Sequence, residues 1–222
     1  MSVTKPGPDT THLYLIRHGA TAANENVPFI LQGAGIDLQL SPSGEQQALD
    51  VGAQLSGIPL NRIYSSTLLR ARQTAQAIAD RQNLEVEIVS NLHESDVGLW
   101  EGKNIEEIQR EFPEEYRKFM ENPGDNPHPG GESFQDVLER VHPILNELLH
   151  KHAGESIAVV AHGNVNRVYL AHLLGVELRK AQLVRQVNGC INIVHHQSHE
   201  TRVMTLNAIL HLQHVVAAKL PK

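Results

Sequence analysis

A chain of 222 residues, 41% hydrophobic and 20% charged, has an ordinary globular balance and suits one domain with room for a sizeable core. Its formal net charge of -6 argues against a nucleic-acid-binding surface, although a local basic pocket is compatible with it. The single cysteine, Cys190, excludes an internal disulfide and fits a reducing compartment, and no apolar run is long enough to span a bilayer.

The first ten residues, MSVTKPGPDT, lack the apolar stretch of a signal peptide. Residues 1–10 are expected to form a loose tail, and the default location is the cytoplasm. Residues 11–222 read as one domain. THLYLIRHG is a continuous apolar run, the pattern of a strand buried on both faces. A helix follows from Ser41, a capping residue, and Pro42, which fits a first helical position. Leu49, Ala53 and Leu55 continue its stripe. NRIYSS is a short strand. The next helix carries Leu68, Ala71, Ala75, Ile78 and Ala79 on its inner side, and EVEIV is another short strand.

Residues 91–131 are less regular. They hold two acidic helical pieces, NIEEIQREF and EEYRKFM, and end in the breaker-rich NPGDNPHPGG. This region is expected to be a lid-like insertion over the domain. Ser133 starts a long helix to about His152, with Asp136 placed for a capping-box variant and Pro143 placed to bend it. ESIAVVAHGN is a further apolar strand, VNRVYLAHLLG a helix, and CINIVHH and TRVMTLN two closing strands. Alternating strands and helices predict an α/β domain with a largely parallel sheet and helices on both faces.

Two of these strands end alike. LYLIRHG and IAVVAHG each deliver a histidine and then a glycine. Ligands of open α/β sheets sit at the carboxyl ends of strands, so neighbouring strands would bring His18 and His162 into one crevice. Gly19 and Gly163 let the backbone turn sharply and approach a ligand. A lone His-Gly is more simply a core histidine bonded to a carbonyl. Two at matched strand ends, one preceded by Arg17, favour function. Arg70 sits in the first turn of the helix after a third strand, where its charge and the helix terminus both favour an anion. Arg72 faces another side and reads as a solvated helix arginine. Two guanidinium forks beside two histidines point to a tetrahedral oxyanion. The rival is zinc on His18, His162, Glu94 and Asp37. It ranks second, because two arginines would repel the cation and no His-x-x-x-His pair is aligned with these residues.

RHGATAAN resembles the R-H-G-x-T-x-x-N signature of the histidine phosphatase superfamily, the phosphoglycerate-mutase-like fold. SSTLLRARQTA, ESDVGLWEG, PGGES and VVAHGN resemble its later blocks in order, and the likeness runs from about Leu13 to Leu212. It implies a three-layer α/β/α sandwich with a largely parallel central sheet and a helical insertion over the active site. It also implies a phosphatase in which His18 is the nucleophile and forms a phosphohistidine. Arg17, Arg70 and His162 would hold the phosphoryl oxygens, with His162 counted in the catalytic set, and Glu94 would be the general acid. Gly163, Asn24 and Thr21 would add phosphate contacts, although Thr21 and Asn24 equally suit a turn. Without the family pattern, Glu94 would read as a surface carboxylate. The resemblance calls for no metal and no cofactor, because arginines neutralise the charge.

The expected reaction is metal-independent hydrolysis of a small phosphorylated metabolite, with neither nucleic acid nor membrane as partner. Phosphoglycerate mutase activity dependent on 2,3-bisphosphoglycerate is the alternative. Ser95, Val97 and Ile105 stand where such mutases carry Arg, Tyr and Lys, which disfavours it. Arg117 and Lys118 fall where mutases have a basic pair, but Glu114, Glu115 and Glu121 nearby suit a solvated helix face. A non-catalytic phosphate-binding or scaffold protein is the alternative of another class. Asp37 comes one residue late for the family spacing and is not expected to touch substrate, although the backbone at Gln32–Gly33 could. Ser133 reads as a cap, and Glu132 stays open. His195, His196, His211 and His214 carry no readable role. The exposed sheet edge leaves room for a homodimer.

Overall fold

The computed structural model describes residues 5–198 and 200–212; residues 1–4, 199 and 213–222, with His214 among them, lie outside the described residues. In chain order the elements are β1 (Thr10–Arg17), α1 (Ala22–Glu25), α2 (Pro42–Leu55), β2 (Arg62–Ser66), α3 (Leu69–Gln82) and β3 (Val86–Val89). Then come α4 (Ile105–Glu111), α5 (Pro113–Glu121), α6 (Phe134–Lys151), β4 (Ser156–Ala161), α7 (Gly163–Leu173), β5 (Ile191–Gln197) and β6 (Glu200–Ala208). The strands form one sheet in the order β3-β2-β4-β1-β5-β6. β3, β2, β4 and β1 run parallel, and β5 and β6 add an antiparallel edge.

The sheet is covered on both faces, as three layers require. Leu13, Leu15, Ile157 and Val159 point into a core with α6 and α7, while Tyr14, Ile16, Ala158 and Val160 point into a core with α2 and α3. The period-2 alternation of strand side chains explains the split, and burial on both faces explains the unbroken apolar runs. Leu92, Val97, Trp100, Ile108 and Phe119 of the 91–131 region join the α6 and α7 core. No helix among the described residues is long and apolar enough to cross a membrane.

Local chemistry sets the helix starts. The Ser41 hydroxyl accepts from the Gly44 amide at 3.1 Å, and Ser133 and Asp136 exchange bonds in a full capping box. α6 continues through Pro143 to Lys151. Two expectations need correction. Thr10, expected in the tail, belongs to β1, where it pairs with Gln197. Leu49 and Ala53 of α2 are exposed, and the buried face is Gly44, Ala48, Val51, Gly52 and Leu55. The small residues face inward because α3 comes too close for larger ones: a Cβ on Gly52 would meet the Ala77 carbonyl.

A second close approach bears on function. The loop after His18 lies against the start of α2, where a Cβ on Gly44 would strike the Ala20 backbone and a Cβ on Gly19 would strike the Gly44 carbonyl. The same loop is tied by Gly19 N–H to Thr74 Oγ1 (3.0 Å) and Ala20 N–H to Gln47 Oε1 (2.8 Å). Gly44→Ala therefore opposes two effects. A helix prefers alanine to glycine by about 0.5–1 kcal/mol, while forcing a methyl into packed backbone costs about 1–3 kcal/mol. The clash should win, and urea denaturation should show a net loss of about 1 kcal/mol or more. A Gly44→Ala protein of wild-type stability would mean that the loop yields.

Candidate active site

β1 and β4 are parallel neighbours with Arg17 opposite Ala161. Each then hands on a histidine at its carboxyl end. The His18 and His162 rings lie 5.1 Å apart between centroids, with planes inclined at 57°. His18 bonds to the Gly19 carbonyl through Nδ1 at 2.7 Å. A carbonyl only accepts, so Nδ1 carries the proton and Nε2 keeps its lone pair. Arg70 Nε donates to that Nε2 at 3.3 Å. His162 is the N-cap of α7 and bonds through Nε2 to the Ser66 hydroxyl at 2.7 Å.

Arg70 is 1% exposed. Its guanidinium is aimed by the carbonyls of Ile36 (3.0 Å) and Gly33 (2.9 Å). Arg17 Nη1 donates to the Gln186 carbonyl at 2.5 Å. Arg17 Nε and His162 Nδ1 are buried with no hydrogen-bond partner. Buried polar atoms of native proteins are rarely left so. Both are left able to bond a further group. A cavity of about 170 Å³ opens here, and its lining combines the polar Arg17, His18, Asn24, Arg70 and Glu94 with Gly163 and the apolar Phe29, Ile30, Leu31 and Val97.

Glu94 reaches the cavity from the 91–131 region. Its carboxylate accepts from the Ser95 amide (2.9 Å) and the Asn164 amide (3.2 Å). Its main chain is pinned by Arg140 of α6, whose guanidinium donates to the carbonyls of Asn91 (2.9 Å), His93 (3.0 Å) and Glu94 (3.2 Å). Arg140 is in turn paired with Glu132 at 2.7 Å. Burial pushes the Glu132 carboxyl up, but bonds from Arg140 and the Asp96 amide outweigh this and leave it below the ordinary range.

Most of the expected site residues converge on this cavity. His162 is not among its lining residues, although its ring lies beside that of His18. Thr21 does not line it either. Its amide and hydroxyl donate to Asn24 Oδ1 at 3.1 and 3.2 Å, so Thr21 holds Asn24 from behind. Asp37 accepts from the Leu69 amide at 2.7 Å and lies 3.9 Å from Arg70, outside the lining. Gln32 and Gly33 line the cavity. Arg117 is exposed, paired with Glu114 and Glu121, and Lys118 beside it is exposed as well. Ser133 caps α6. His195 stacks on His12 at 3.8 Å, His196 bonds Thr201, and His211 bonds the Gly189 carbonyl, none of them lining the cavity. Among the described residues no three His, Cys, Asp or Glu side chains are grouped to hold a metal. Sequence reasoning missed Arg140, Asn164 and Arg167. Asn164 and Arg167 line the cavity, and Arg167 stands one helical turn after Gly163, a spacing that could have pointed to it. Arg140 has no such signal, since its carbonyl partners lie 46 to 49 residues away.

Electrostatics keep both histidines neutral. Burial first, then Arg70 and Arg17, holds His18 well below the ordinary histidine value, and burial, Arg70, His18 and Arg17 do the same to His162. The unfolded chain protonates these rings near pH 6.5. Below that pH the unfolded state binds protons that the folded state does not. Stability is then complete above about pH 6.5 and falls as the medium turns acid. Between pH 7.5 and 5.5 the slope of stability should be shallower in His18→Asn, by up to about 1.4 kcal/mol per pH unit. Identical slopes in the two proteins would contradict a neutral His18.

A family model described as histidine phosphatase superfamily (branch 1) matches residues 13–209. The chain is 34% identical over 200 residues to phosphoserine phosphatase 1 of Hydrogenobacter thermophilus, covering 90% of this chain and 93% of that protein. It is 31% identical over 185 residues to a probable phosphoglycerate mutase GpmB of Salmonella choleraesuis, covering 83% and 85%. Among solved structures, a phosphoserine phosphatase mutant from Entamoeba histolytica in complex with phosphoserine aligns with a TM-score of 0.82 at 30% identity, covering 91% of this chain and 99% of that one.

Proposed function

The chain belongs to branch 1 of the histidine phosphatase superfamily, and on that premise we propose that it hydrolyses small-molecule phosphate monoesters through a phosphohistidine at His18. One observation carries the reading. His18 is a neutral imidazole whose Nδ1 proton is committed to the Gly19 carbonyl, at a cavity lined by guanidinium groups.

The chemistry follows from these positions. Phosphoryl transfer needs alignment and charge stabilisation more than bond-making by the protein. Arg17, Arg70 and His162 hold the phosphoryl oxygens, with Arg17 Nε and His162 Nδ1 finding acceptors there. Asn24 and the backbone at Gly163 complete the cradle. His18 Nε2 attacks phosphorus; the N–P bond forms as the P–O bond to the alcohol breaks. The departing oxygen takes the proton of the Glu94 carboxyl. The ring is now cationic, and its Nδ1–H bond to Gly19 stabilises that charge. Water then attacks phosphorus and gives its proton to the Glu94 carboxylate. The N–P bond breaks, phosphate leaves, and His18 is neutral again. The donors present neutralise the phosphoryl charge themselves, so the proposal includes no metal.

Hydrolysis is favoured over phosphate transfer to a second alcohol. Val97 presents an apolar side chain to the cavity, and the Ser95 hydroxyl is taken up by Asn164 at 2.7 Å. Arg117 and Lys118 lie outside the lining. A scaffold that only binds phosphate would have no use for a carboxyl group, Glu94, lining the same cavity as His18.

Two variants test the reading. Rapid quenching with radiolabelled phosphate ester should trap an acid-labile phosphoenzyme in the wild type and none in His18→Ala, whose turnover should vanish. Normal turnover by folded His18→Ala would end the proposal. Glu94→Gln should lower kcat on an alkyl phosphate by about 10²–10⁴-fold, with a much smaller loss on nitrophenyl phosphate, whose leaving group needs no proton. Equal losses on both would remove the acid role.

A further inference from the structure

His18 and His162 are both neutral rings at neighbouring strand ends, yet the proposed reaction uses one as nucleophile and the other as donor. The structure holds a reason on a third strand. Ser66 is the last residue of β2, which pairs with β4 on the side away from β1. Its side chain is fully buried, and its hydroxyl lies 2.7 Å from His162 Nε2.

The bonds around Ser66 Oγ decide which way that contact runs. The Leu68 amide already donates to Oγ at 3.3 Å. Among the described residues, His162 Nε2 is the acceptor in reach of the Ser66 hydroxyl proton. Were Nε2 protonated, Oγ would receive two donors and the buried hydroxyl proton would have no acceptor. With the hydroxyl donating to Nε2, the ring proton stands on Nδ1. That Nδ1 is buried and has no hydrogen-bond partner among the described residues. Only this second arrangement is fully satisfied once an acceptor meets Nδ1, and a buried polar group left unpaired is the costly alternative. A second proton on the ring meets the same obstacle, because it too would turn the hydroxyl away. Burial first, then Arg70, opposes that proton as well.

We infer that Ser66 is a positioning residue: its hydroxyl donates to His162 Nε2 and so holds His162 as an Nδ1–H donor to the transferred phosphoryl group. The two histidines then carry the proton on the same nitrogen but present opposite ends. His18 spends its Nδ1–H on the Gly19 carbonyl and offers the Nε2 lone pair. His162 accepts at Nε2 and offers the N–H. Two lone pairs would repel the phosphoryl oxygens, and two N–H groups would leave no nucleophile. The inference rests on the phosphatase reading and deepens it, because it assigns the choice of nucleophile to a hydroxyl outside the cavity lining.

The tautomer itself is the test. Two-bond proton–nitrogen correlation NMR on isotope-labelled protein separates Nδ1–H, Nε2–H and doubly protonated rings. The His162 signal is assigned by its loss in His162→Ala. In the wild type, alone and with inorganic phosphate, it should be the Nδ1–H form, and an Nε2–H form overturns the inference. In Ser66→Ala the ring should move to the Nε2–H or the doubly protonated form. The same variant should lose about 10–100-fold in kcat/KM on nitrophenyl phosphate, as for a hydrogen bond to a charged group. Made on a His162→Ala background, Ser66→Ala should cost less than about threefold more, because its effect runs through His162. A full loss repeated on that background, or an unchanged His162 ring in Ser66→Ala, makes Ser66 a structural residue and overturns the inference. If Ser66→Ala fails to fold, the wild-type tautomer decides alone. A wild type that shows the Nδ1–H ring but forms no phosphoenzyme on any ester is a different failure, that of the phosphatase reading itself.

Discussion

The Nδ1–H of His18 donates to the carbonyl of the next residue, Gly19, and much else in the molecule serves that bond. It turns the Nε2 lone pair toward Arg70 and holds the ring where burial and two guanidinium groups suppress protonation. A charged imidazole there would be repelled by Arg70 and Arg17 and would have no lone pair to offer. The loop that carries the carbonyl must therefore stay put. It does so because Gly19 and Gly44 bring it against α2 at a distance no side chain would tolerate, and because Thr74 of α3 and Gln47 of α2 bond its amides.

The other half of the site is held from the opposite face of the sheet. Glu94 is carried by an irregular segment, which by itself would wander. Arg140 gathers three of its carbonyls, and Glu132 holds Arg140. The buried apolar side chains of the same region, Trp100 and Phe119 among them, anchor it to the α6 and α7 core. Two cores on two sides of one sheet thus hold two groups, an imidazole and a carboxyl, at one row of strand ends. In the proposed reaction those two groups must meet the same phosphorus and the same leaving oxygen, and their rigidity replaces a search that would cost rate.

Much of this was legible in the chain. Both apolar strands ending in His-Gly pointed to the carboxyl edge, because two strands buried on both faces that end alike on polar groups suit a shared crevice better than two separate core histidines. Helix starts at Ser41 and Ser133 were readable because capping is a contact over three residues. The inward face of α2 was not. Leu49 looked like core by hydrophobicity, yet α3 packs so near that small residues win the buried face. Thr21 and Asn24 looked alike as phosphate ligands; folding puts one at the cavity and the other behind it.

What the sequence alone determined is set by short-range rules: the order of elements, the layer class, the family, and the residues at the tips of strands and first turns of helices. Each depends on spacing within a few residues, or on a motif whose parts are contiguous. Only the tertiary structure decided which charges have partners. Arg140 meets carbonyls 46 to 49 residues away, Arg117 is spent on its own helix, and Arg167 is left facing the cavity with neutral company. In the sequence these are three arginines on three helices, with nothing to rank them. The energy of a charge depends on what surrounds it within a few ångströms in space, and that neighbourhood exists only after the chain has folded.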